Sequence, residues 1–200
     1  MGETDLHRSI MMAIIEMLKD YYRDHPDVYV SGNLFIYYEP GVPASSFSPD
    51  AFVVFGVPKR DRRTYKFWEE NGKAPDVVFE VTSKSTWLED EGAKMALCRR
   101  LGVREYFLFD PLEEYLVPAL QGYRLHRGQY LPIQAGPAGE LDSQALGLTL
   151  KEEKQNLRMI LTATGEALLT PSEAQAARRQ AETEVARLRD ELEKLKSKNA

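Results

Sequence analysis

The sequence predicts an α/β fold, a mixed sheet flanked by helices, with a separate helix at the C-terminus. Three observations carry this. Residues 76–109 read as strand, helix and strand in turn, which is the pattern of a right-handed crossover between parallel strands. Short β-branched and aromatic runs, divided by Gly, Pro, Asn and Asp, fill the sequence on either side. Composition then changes at Pro171, after which neither an aromatic residue nor a glycine occurs. A chain of 200 residues that is 43% hydrophobic can bury one sizeable core, so one domain is expected at 1–170 and an appendage at 171–200.

The elements follow in order. Residues 5–23 form an amphipathic helix: Leu6, Ile10, Ile14 and Met17 recur at helical spacing, and Leu18 and Tyr21 widen the stripe. Residues 25–41 read as two short strands around the Ser31-Gly32-Asn33 turn. The run "SPDAFVVFG" is a further strand, opened by Pro49 and Asp50. Residues 57–73 are polar and basic, a loop with one helical turn near Trp68. The strand in "APDVVFEVTSKST" comes next, then a helix from Thr86 to Leu101, stopped by Gly102. "REYFLFD" is a strand closed by Asp110-Pro111. From Leu112 to about Thr170 short strands alternate with turns, with a hairpin in "GYRLHRGQYLPI" and a turn between strands in "TATGEALLT".

Several function classes are disfavoured. No apolar run reaches the ~18 residues of a membrane helix, and the N-terminus lacks a signal-peptide pattern. The one cysteine, Cys98, has no internal partner and suits a reducing cytoplasm. A net charge of −5 argues against a broad nucleic-acid-coating surface but leaves room for a local basic groove.

The acids within a buried strand carry the chemistry. Side chains alternate along a strand, so Asp76, Val78, Glu80 and Thr82 share one face, and Val77, Phe79 and Val81 the other. Burying unpaired carboxylates is expensive, and clustering them adds repulsion. A divalent cation removes both costs, and carboxylate oxygens suit Mg²⁺ or Mn²⁺. Asp50, opening its own strand, supplies a third acid. The alternative is structural: Asp76 caps a turn after Pro75, Glu80 pairs with a lysine, and Asp50 is a turn residue.

"SPDAFVVF", "APDVVFEVTSKST", "DEGAKMALCRRLGVREYFLFDP" and the later "GYRL" together resemble the Uma-two family of bacterial restriction endonucleases, within the PD-(D/E)XK nuclease superfamily. The resemblance spans most of residues 5–170. It implies a restriction-endonuclease-like fold and metal-dependent hydrolysis of DNA phosphodiesters. It places the first metal aspartate on Asp50 and the second acid on Glu80, with Asp76 as a competing first aspartate or a neighbour of the pair. Thr82 stands where the superfamily carries its lysine. The family's lysine on the next helix matches Lys94, and Lys84 in the loop competes with it. The implied site is therefore Asp50, Glu80 and Lys94 as catalytic residues, with Asp50, Glu80 and Asp76 around Mg²⁺ or Mn²⁺. The acids would hold a metal that polarises phosphate and activates water, and the lysine would stabilise the developing charge. Ser83, Ser85 or Thr86 would cap the helix or contact phosphate.

Asp90 lies four residues before Lys94, the spacing of an ordinary helix ion pair. His7, His25 and His126 lack metal-ligand spacing and read as surface or structural residues, and Cys98 reads as core. Lys59, Arg60, Arg62 and Arg63, interleaved with aromatics up to Trp68, suit DNA contacts, as does Lys84; a solvated loop is the alternative. Glu16 reads as a solvent-facing acid or one near the metal edge. In the tail, Ala181, Val185, Leu188, Leu192 and Leu195 are spaced 4, 3, 4, 3, a coiled-coil seam broken upstream by Arg178. The expectation is a cytoplasmic endonuclease of DNA, homodimeric through the tail; the alternative for the tail is a helix folded back on its own domain. The alternative is a catalytically weak nucleic-acid or protein-binding module with the coiled coil as adaptor.

Overall fold

A computed structural model describes residues 4–84 and 86–198. These residues fall into two compact units divided after Leu168. In the first, helix α1 (Asp5–Tyr21) is capped by the Thr4 side chain, which accepts a hydrogen bond from the His7 amide. Its stripe of Ile10, Ile14, Met17 and Leu18 is buried.

Six strands form the main sheet: β1 (Val28–Ser31), β4 (Ala51–Phe55), β6 (Val77–Val81), β7 (Glu105–Phe109), β8 (Leu120–His126) and β9 (Gln129–Pro132), in that spatial order. Only β6 and β7 run parallel; the other neighbours are antiparallel, so the sheet is mixed. The β6–β7 connection carries α2 (Trp87–Glu89), a π-helical turn (Asp90–Lys94) and α3 (Met95–Leu101), and ends on Gly102 with φ of 84°.

Alternation along β6 divides two cores. Val77, Phe79 and Val81 pack with α1 and with the three-stranded sheet β10 (Leu141–Ser143), β11 (Leu148–Glu153) and β12 (Asn156–Leu161). Val78 packs on the other side with Cys98, Tyr106 and Phe52. That second core also takes up Ile36, Phe47 and Tyr65 from the small sheet β2 (Ile36–Tyr37), β3 (Ser46–Phe47) and β5 (Tyr65–Lys66).

The structure corrects the sequence at two places. The 31–33 turn does not join two strands of one sheet: β1 pairs with β4, while β2 pairs with β3 and β5. The 57–73 segment contains β5 beside the expected helical turn, here a 3₁₀ turn at Phe67–Glu69. Strands of two residues carry no readable periodicity, so β3 and β5 were invisible as patterns.

The second unit is helix α4 (Pro171–Lys198). Thr170 and Glu173 form a capping box: the Thr170 amide donates to Glu173 Oε2 at 2.8 Å, and the Glu173 amide to Thr170 Oγ1 at 3.3 Å. Pro171 takes the first helical position, where its missing N–H costs nothing.

Candidate active site

Pairing of β4 with β6 places Ala51 opposite Phe79, and one step further Asp50 meets Glu80. The two residues hold each other. Asp50 Oδ2 accepts the Val81 amide at 2.7 Å, and the Asp50 amide donates to Glu80 Oε2 at 3.3 Å. The backbone beneath Asp50 needs a glycine: a Cβ on Gly32 would lie 1.9 Å from the Asp50 carbonyl oxygen. The Asn33 amide adds a bond to the Pro49 carbonyl at 2.9 Å. The Ser31-Gly32-Asn33 segment is thus a support for Asp50.

Two helices supply the remaining groups. From the π-helical turn, Lys94 Nζ lies 3.0 Å from Glu80 Oε2 and 3.0 Å from Asp90 Oδ1. From α1, His7 Nε2 lies 3.1 Å from Asp50 Oδ2, and His7 is buried. The Tyr106 hydroxyl donates to the Asp90 carbonyl at 2.8 Å, tying the π turn to β7. Turns of this type recur at functional sites.

Burial dominates the electrostatics. It raises Glu80 well above the usual carboxylate range; Lys94 opposes the shift, and Asp50 and Asp90 add to it. Asp90 is raised by burial too, against the pull of Lys94. Burial alone would lower the Lys94 ammonium, but Glu80 and Asp90 outweigh it and hold Lys94 above its ordinary value. Two carboxylates, Glu80 and Asp90, thus converge on one ammonium, with Asp50 beside Glu80.

The structure brings Asp50, Glu80 and Lys94 together but not Asp76. Asp76 sits before the opposite end of β6. There its Oδ2 accepts the Phe55 amide at 2.8 Å, and its Oδ1 lies 3.4 Å from Lys73 and 3.5 Å from Arg104. Same-face alternation was right, but four residues along a strand span ~13 Å, too far to share an ion. Ser83 and Thr86 close the turn after β6: their hydroxyls lie 3.2 Å apart, and the Ser83 amide donates to Thr86 Oγ1. Ser85 lies outside the described residues. Glu16 is exposed and pairs with Lys19.

The basic run also differs from expectation. Arg62 is an interior residue with a 5% exposed side chain. It bonds Glu70 Oε1 at 2.9 Å and stacks over Tyr29 with its guanidinium carbon 4.1 Å from the ring centre. Arg60 shares the same Glu70 oxygen at 2.8 Å, and Lys59 Nζ donates to the carbonyls of Tyr22 and Arg23. Arg63 and Lys84 are exposed.

His7 and Asp90 are the site residues that sequence reasoning missed. The signal for His7 was available: it falls three residues before Ile10 on the apolar stripe of α1, and a buried imidazole needs a polar partner. Asp90 does form the expected pair with Lys94, but at 1% exposure it is no surface pair.

Glu80 Oε1 is buried and has no hydrogen-bond partner, and the Asp50 hydrogen bonds among the described residues use Oδ2. Two carboxylate oxygens are therefore uncommitted on adjacent strands. Among the described residues, no three His, Cys, Asp or Glu side chains group tightly enough to enclose an ion. Magnesium commonly takes one or two carboxylates and completes its shell with water and substrate phosphate, so a pair fits.

A family model described as "Putative restriction endonuclease", Uma2, matches residues 1–159. The chain belongs to the Uma2 family. This Uma2 chain shares its fold with a protein from Anabaena variabilis, whose crystal structure is described as that of "a putative nuclease belonging to DUF820". The two are 14% identical with a TM-score of 0.53, over 73% of this chain and 76% of that one. No curated protein sequence matches. The expected mixed α/β fold and the family resemblance both hold for this Uma2 chain. No helix among the described residues is long and apolar enough to cross a membrane.

Proposed function

We propose that this Uma2 protein is a divalent-metal-dependent endonuclease of DNA, acting in the cytoplasm as a homodimer. Residues 1–170 would be the nuclease and 171–200 the pairing segment. The observation that carries the reading is Glu80 Oε1, an acid oxygen buried without a partner beside the Asp50 carboxylate.

In this reading Asp50 and Glu80 hold Mg²⁺, with Mn²⁺ as a substitute. The bound ion supplies polarisation of the scissile phosphate and a lowered pKa for water. His7 orients Asp50 by bonding Oδ2, which leaves Oδ1 to act. Lys94, kept charged by Glu80 and Asp90, faces the negative charge that develops on phosphate. Asp90 holds the Lys94 ammonium beside Glu80. The exposed charges of Arg63 and Lys84 are free to meet the DNA backbone. Cytoplasmic residence is supported by the unpaired, buried Cys98 thiol.

The test is calorimetric titration of the full chain with Mg²⁺ and Mn²⁺, with a plasmid cleavage assay alongside. Wild type should bind metal and cleave. Glu80→Ala should do neither while remaining folded. Cleavage by Glu80→Ala at the wild-type rate would overturn the site.

A second reading has one observation in its favour. Lys94 already neutralises Glu80 at 3.0 Å, an arrangement that needs no metal. A binding module built this way would retain DNA yet show no heat of metal uptake.

A further inference from the structure

Helix α4 leaves Val185, Leu188, Leu192 and Leu195 about half exposed, with 46–59% of each accessible. In heptad terms Val185 and Leu192 occupy a, and Ala181, Leu188 and Leu195 occupy d. This assignment fixes the flanking edges. Glu184 and Glu191 fall at g, one residue before each a. Arg189 and Lys196 fall at e, one residue after each d.

We infer that α4 pairs with a second copy of itself in a parallel, in-register coiled coil. In such a pair each g residue meets the e residue five positions later on the other chain. Glu184 then faces Arg189, and Glu191 faces Lys196, on both sides of the seam. All four contacts are attractive. An antiparallel pair sets g beside g and e beside e, so the two glutamates share one edge, and Arg189 and Lys196 share the other. The remaining e residue, Glu182, is held at 2.9 Å by Arg178 of its own helix, which also offsets the Arg178 charge at the a position before the seam. Arg187, at c, holds Glu184 and, at 3.7 Å, Glu191 within its own helix and must share both on pairing. Valine at a with leucine at d favours two strands. Parallel pairing brings the two chains into the coiled coil at the same end, which tethers two nuclease units side by side. The inference rests on the dimer reading above and adds its orientation.

Disulfide trapping of the full chain tests it. Residue 181 meets its own twin only in a parallel, in-register pair. Ala181→Cys should therefore cross-link to itself under oxidised glutathione. Asp190→Cys, at the outward f position, should not. Cys98 is fully buried, so wild type serves as the blank. Cross-linking of Ala181→Cys only when mixed with Leu195→Cys would overturn the orientation while leaving the dimer standing. A monomer by light scattering would overturn both. A second, independent arm uses charge. Glu184→Lys with Glu191→Lys should weaken self-association about tenfold or more. Mixing with the Arg189→Glu, Lys196→Glu chain should restore pairing as a heterodimer. Failure of that mixture to pair would also overturn the g–e contacts.

Discussion

The site gathers groups whose costs cancel only in combination. Glu80 is fully buried beside two other acids, and Lys94 is the one cation that reaches it among the described residues. Lys94→Ala should abolish cleavage yet leave metal affinity largely intact, because an ammonium is no ligand for Mg²⁺. Lys84→Ala should do less. Single-turnover cleavage and calorimetry on both variants check this, and a reversed ranking would move the catalytic lysine to the loop. His7→Ala removes a hydrogen bond to a charged group, worth about 1.5–3 kcal/mol. It should lower metal affinity more than stability if Asp50 loses its orientation, and His7→Asn should recover part of the affinity. Glu80 stood out in sequence as an acid on a buried strand face, while Asp50 and Lys94 were singled out by the resemblance to the Uma-two family; the structure brings the three together. Asp76 was misplaced because alternation reports the face of a strand and not the position along it. The stripe of α1 marked His7 as buried, but its role was missed because its partner is remote: the contact to Asp50 spans 43 residues.

At the scale of elements, the sequence was legible wherever periodicity ran long enough. Helix α1, strands β4, β6 and β7 and helix α4 each repeat a pattern over five residues or more. The small sheet of β2, β3 and β5 does not, and tertiary packing of Ile36, Phe47 and Tyr65 decides it. The basic run divides because Arg60 and Arg62, unlike Arg63, answer to a residue inside the fold. Arg62 holds Glu70 below the usual carboxylate range, with Arg60 helping against the opposing effect of burial. A carboxylate depressed in the folded state contributes stability above its unfolded pKa and loses it as pH falls through the folded one. Glu70→Gln should therefore melt lower than wild type near neutral pH, and the gap should close on acidification. Melting curves across that range test the sign. Arg62→Ala leaves Glu70 buried with only the half-exposed Arg60, and should cost about 3 kcal/mol. If DNA affinity falls instead while stability holds, Arg62 is a contact residue after all.

For the whole molecule, one sheet places the candidate site and one helix carries the proposed pairing seam. The sheet joins Asp50 and Glu80 on adjacent strands, while α1 and the π turn bring His7 and Lys94 to them, so the proposed catalysis would belong to residues 1–170. The α4 seam covers about two heptads, and a lone helix of this kind is marginal in water. In the proposed pair its leucines would leave solvent, and each buried one would contribute up to about 1.5–3 kcal/mol. That total is small against the cost of association, so contacts within residues 1–170 must share the work. A chain ending at Thr170 should then associate more weakly while keeping metal affinity and single-strand nicking. Cutting of both strands should fall more steeply, because two sites must act on one duplex. Light scattering, with the ratio of nicked to linear plasmid over time, separates these effects. Equal association and an equal ratio in both proteins would remove α4 from the assembly and leave the globular surface as the only dimer contact.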